Sequence, residues 1–98
     1  MKQIKLNQAT LNKWAEMTDE NNHIEVRIEI AKYFHLDEIE DGFFAGMNFV
    51  DAFETEASLI GRTHYRNLPM SCITTRAMFS EIARQYGEAV AKKVWQCL

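Results

Sequence analysis

Apolar residues recur along this chain at intervals of three and four, and that period restricts its fold more than any single motif. Leu6, Leu11, Trp14 and Ala15 set the rhythm over residues 7–17, where Asn7 is placed to cap a helix. The longest run links Ile39, Phe43, Met47, Val50, Phe53, Ala57 and Ile60, with Gly61 behind it as a C-terminal stop. Its polar side holds Glu40, Asn48, Asp51, Thr55 and Ser58, while Phe44 and Phe49 widen the apolar stripe. The last run passes through Met78, Phe79, Ile82, Ala83, Tyr86, Val90, Val94 and Cys97, with Thr74 or Thr75 as its cap. Tyr86-Gly87-Glu88 divides that run, because glycine favours a helix stop and glutamate a fresh first turn. An apolar stripe must be buried against another element, so this pattern predicts an all-α chain folded as a compact bundle of four to five helices.

One stretch reads two ways. Ile24, Val26, Ile28 and Ile30 alternate with Glu25, Arg27 and Glu29, which is a strand pattern and gives an α+β alternative with a short strand at 24–30. The alternation fails at Ala31-Lys32-Tyr33-Phe34, whereas a helical register keeps Val26, Ile30, Tyr33 and Phe34 on one side. Asn22 followed by Glu25 has the form of a capping box after the polar break at 18–22. Length and cap favour the helix.

Asp37 and Glu40 form a second capping box at the head of the long run. Gly42 and Gly46 lie inside it, each costing about 1 kcal/mol of helix propensity relative to alanine. Either another backbone approaches there, or the helix begins late, near Gly42, after an irregular acidic loop.

With 98 residues, 47% of them apolar and 26% charged, the chain has the material for one folded domain over 1–98. No stretch reaches the ~20 continuous apolar residues that span a bilayer, and the first residues lack the form of a secretory signal. The expectation is a cytoplasmic protein with no membrane contact. Cys72 and Cys97 match no zinc or redox spacing and are expected as thiols.

Charge is distributed unevenly. Residues 1–15 carry Lys2, Lys5 and Lys13 and no acid, while residues 16–60 carry twelve acids against Arg27 and Lys32. Residues 61–98 carry six bases against Glu81 and Glu88. Such a chain is expected to show an acidic and a basic side.

The sequence offers no catalytic, metal or cofactor constellation. His23, His35, His64 and the two cysteines do not pair at i, i+3 or i, i+4, the spacing that sets two ligands on one helical face. A Cys72 nucleophile would need His64 beside it, with no local signature to support the pair. The carboxylates at 37–41 crowd one polar stretch rather than an apolar pocket. No glycine-rich phosphate loop is present.

Two clusters remain as candidate contact residues. Arg62, His64, Tyr65, Arg66 and Arg76 interleave bases with an aromatic ring, a pattern suited to a phosphate, another anion or a nucleic-acid strand. Phe43, Phe44, Phe49, Phe53 and Trp95 exceed the aromatic bulk that four short helices need, and aromatic anchors of this kind are enriched at interfaces. The leading expectation is therefore a non-enzymatic protein–protein interaction module, in the form of a homodimer. The alternatives are a small nucleic-acid-binding protein using the basic connection 62–76, and an acidic inhibitor that imitates a nucleic-acid backbone.

Overall fold

The computed structural model describes residues 5–19, 23–40, 42–61 and 71–98. Among them are five helices and no sheet: α1 (Gln8–Asp19), α2 (His23–Tyr33), α3 (Phe49–Ile60), α4 (Ile73–Tyr86) and α5 (Glu88–Trp95). Each helix packs on the next in sequence, α1 on α2, α2 on α3, α3 on α4 and α4 on α5. The all-α bundle expected from the periodicity is what forms.

The ambiguous stretch is helical. Ile24, Val26, Ile30 and Ala31 are buried and Ile28 is half-buried, because α2 is covered by α1 on one side and α3 on another. A central helix buries more than one stripe, and that is what made its sequence imitate a strand. Trp14 of α1 meets Tyr33 edge-on at 5.4 Å between ring centroids, and Phe34 lies 5.1 Å from Tyr86 of α4. These rings join the two ends of the bundle to its centre.

The caps repeat part of the expected pattern. Asn7 Oδ1 accepts from the Thr10 N–H at 2.8 Å, and the Gly61 and Gly87 N–H groups close α3 and α4 on the carbonyls of Ala57 and Ala83.

The long run does not form one helix from Ile39 to Ile60. Asp37 and Glu40 cap no helix among the described residues, and α3 starts only at Phe49, later than either reading placed it. Asn48 is its true cap: Oδ1 accepts from the Asp51 N–H at 2.8 Å, while Nδ2 donates to the Asp51 carboxylate at 2.8 Å. Before it, residues 38–40 and 42–48 fold back on one another. The Ile39 N–H donates to the Met47 carbonyl at 3.0 Å, the Gly46 N–H donates to the Ile39 carbonyl at 2.8 Å, and Glu38 and Asn48 form an isolated antiparallel bridge. Gly42 and Gly46 make this loop possible, with φ of 84° and 80°, where a side chain is disfavoured.

The expected cap of α4 is also displaced. The helix begins at Ile73, one residue before Thr74, and Cys72 at the N-cap position makes no side-chain cap bond. Its first N–H groups are met instead by Glu56 of α3, which accepts from Ile73 N at 3.1 Å and Thr74 N at 3.0 Å. A carboxylate there also faces the positive end of the helix dipole.

Candidate binding cleft between α4 and α5

The two clusters singled out in the sequence fare differently. Arg62, His64, Tyr65 and Arg66 lie outside the described residues. Arg76 stands exposed on α4. Of the five aromatic residues expected at an interface, Phe44, Phe49 and Phe53 are buried in the core of the single chain and are packing residues. Phe43 is 74% exposed. Trp95 is half-buried, its ring edge-on to Phe79 at 5.3 Å.

The structure brings Arg76 and Trp95 together. With Thr75, Phe79 and Ser80 they line a cleft of about 400 Å³. Thr75/Phe79 and Arg76/Ser80 are two adjacent i, i+4 rows of α4, so among the described residues one face of the helix supplies four of the five walls. The α4–α5 turn at Gly87 carries Trp95 back to form the fifth. Sequence reading placed Phe79 on the core stripe and missed Thr75 and Ser80 as wall residues. The paired i, i+4 rows were the signal that could have found them.

The cleft combines an aromatic floor with polar groups that find no partner among the described residues. Among the described residues, Arg76 has no carboxylate within ion-pair distance. The Thr75 hydroxyl is fully buried and has no hydrogen-bond partner among them. Arg76 and Ser80 also border a second cleft of about 370 Å³, which holds Glu38, Glu40, Glu81 and Arg84. There Arg84 binds Glu81, which draws that carboxyl below its ordinary value and raises the guanidinium. Arg76 thus lines both clefts and shares the second with Glu38 and Glu40, at more than ion-pair distance from either.

A buried cluster of Arg27, Glu56 and Cys72 lies at the head of α4. Burial draws the Arg27 guanidinium down to about 10, against the raising influence of Cys72 and Glu56. Burial pushes the Cys72 thiol up to about 11, with the Glu56 charge and hydrogen bond adding to it. At neutral pH this is a protonated, enclosed thiol, the opposite of the lowered pKa and access that a nucleophilic cysteine needs. His23 is also lowered, by burial first and Arg27 second. Both cysteines are free. Among the described residues no group of three potential ligands could hold a metal ion, and no helix is long and apolar enough to cross a membrane.

Comparison of the chain with protein-family models, curated proteins and solved structures finds no match in any of the three.

Proposed function

We propose that this protein is a non-enzymatic interaction module that uses the Arg76–Trp95 cleft to hold a segment of a partner protein. The segment it suits carries an apolar side chain beside a carboxylate. The observation that carries this reading is the placement, at the lip of an aromatic cleft, of an exposed guanidinium with no carboxylate within ion-pair distance among the described residues. Arginine and tryptophan are the residue types that dominate binding energy at interfaces. A guanidinium also recognises a carboxylate by paired hydrogen bonds, a geometry that an ammonium does not offer. The two free thiols suit a reducing, cytoplasmic setting.

The test is an NMR titration with a short synthetic peptide containing a phenylalanine flanked by glutamates. Saturable shifts of the Trp95 indole and of Phe79, absent in Arg76→Ala, are expected. An unshifted indole at millimolar peptide overturns the reading. A gel shift addresses the nucleic-acid alternative, because backbone binding through Arg76 should strengthen as salt is lowered. No retardation at low salt is the result expected here.

A further inference from the structure

Among the described residues Phe43 is the most exposed large apolar side chain, ahead of Leu59 at 66%. It is 74% exposed, while its neighbour Phe44 is buried to 2% and meets it edge-on at 4.9 Å between centroids. Phe44 pins the loop to the core, and the turn between Gly42 and Gly46 leaves Phe43 standing outward. The loop is closed by the hydrogen bonds of Ile39, Gly46 and Met47, so Phe43 is held on a braced projection. Close by in the chain are the exposed carboxylates of Glu38 and Glu40, which border the second cleft with Arg76 of the same chain but do not come within ion-pair distance of it. An apolar ring with acids beside it is the chemical complement of the Arg76–Trp95 cleft.

The ring does not enter the cleft of its own chain, since it remains exposed. Gly42 rests against Ile73 at the first turn of α4, where a Cβ on it would stand 3.8 Å from Ile73 Cγ2. The cleft is built from the same helix, through Thr75, Arg76, Phe79 and Ser80. Projection and cleft therefore share the first half of α4, and Arg76 and Ser80 border the clefts on both sides. Two copies related by a two-fold axis can satisfy both at once, because in a symmetric pair residue i meets j and j meets i.

We infer that a second copy of this chain is the occupant of the cleft: Phe43 of each copy enters the Phe79–Trp95 cleft of the other, with Glu38 and Glu40 facing Arg76. This rests on the reading of the cleft as a binding site and names what fills it. Two aromatic anchors bury only about 150–250 Å² each. That is far below the roughly 1,600 Å² of a standard interface, so the association is weak and reversible. It is an assembly set by concentration, with dissociation in the range of about 10 µM to 1 mM.

The test is sedimentation equilibrium of the full chain across that concentration range at low and high salt. The expected result is a mass rising from 11.4 kDa toward twice that value, with weaker association at high salt. Phe43→Ser and Arg76→Glu, both at exposed positions, are each expected to weaken association at least tenfold. Combining Arg76→Glu with Glu38→Arg and Glu40→Arg restores the charge match and is expected to recover most of the loss. A chain that stays at 11.4 kDa throughout overturns the inference, as does association indifferent to Phe43→Ser or Arg76→Glu. The peptide titration separates the two readings. A strictly monomeric chain that still binds the peptide loses this inference and keeps the cleft as a binding site, while failure of both removes the two together.

Discussion

Glu56 of α3 accepts three hydrogen bonds from the start of α4, from the N–H groups of Ile73 and Thr74 and, at 2.6 Å, from the Thr74 hydroxyl. One buried carboxylate thus supplies the cap that α4 lacks in its own sequence and fastens two helices together. Charge-assisted bonds of this kind contribute about 1.5–3 kcal/mol, and a buried donor left unmet adds to the loss. Glu56→Ala is expected to destabilise the fold by about 3 kcal/mol, partly because Arg27 loses the nearby anion that raises it. Glu56→Gln keeps one acceptor oxygen and should lose about half as much. Urea unfolding of the three chains checks the order, and equal midpoints would remove Glu56 from this role.

The Cys72 thiol ties stability to pH in the alkaline range. It holds its proton up to about 11 in the folded chain against 9.0 in the unfolded one. Between those values the folded state binds more protons, so the contribution is complete below pH 9 and is lost as pH rises through 11. Arg27 acts in the other direction: burial draws its value down to about 10, so its penalty is relieved as pH climbs above 10. The interval between 9 and 10 isolates the thiol. Across it, the stability of the natural chain should fall relative to Cys72→Ala, whose cavity cost does not depend on pH. Parallel stability curves for the two chains would contradict this assignment.

Much of the fold was legible because helices record themselves locally. The Asn7 cap, the stop at Gly61 and the break at Gly87 are all decided by residues within one turn of each other. The stretch 38–48 misled because Ile39, Phe43 and Met47 continue the three-four rhythm of α3 by position alone, while the stripe residue Phe43 points out and its off-stripe neighbour Phe44 points in. The two glycines and the Asn48–Asp51 pair carried the correct boundary, with less weight than seven periodic apolar residues. The cleft was half legible. Arg76 and Trp95 each stood out for residue type, but their meeting depends on how α4 and α5 pack. The Glu56 cap left no mark in the sequence, since nothing local links Glu56 to Thr74.

Gly46 tests whether the loop that presents Phe43 depends on backbone conformation. Its φ is 80°, and a Cβ added there would meet nothing within 4 Å. The cost of Gly46→Ala is therefore conformational strain without a clash, about 1–2 kcal/mol. Gly46→Asn should cost less, because asparagine tolerates positive φ better than alanine. Both variants should shift the urea midpoint without changing its slope. A neutral Gly46→Ala would show that the loop can relax its turn.

The Tyr86 hydroxyl donates to the Phe34 carbonyl at 3.0 Å, joining the end of α4 to the end of α2. At Phe34 the chain leaves the helix, and the next residue, His35, turns it away at φ 55°. The Phe34 carbonyl keeps no other donor among the described residues, and the site is closed to water. Tyr86→Phe preserves the ring contact with Phe34 while removing the donor, so the loss should be that of an unmet buried acceptor, about 1–3 kcal/mol. Tyr86→Leu removes the ring as well and should cost more by the aromatic contribution, roughly 0.5–1.5 kcal/mol plus the lost area. Because the bond spans two helix ends, hydrogen exchange should speed up in Tyr86→Phe at the last turns of both α2 and α4, beyond the change set by global stability. Faster exchange in α4 alone would mean that α2 is held closed by its aromatic contacts and not by this hydroxyl.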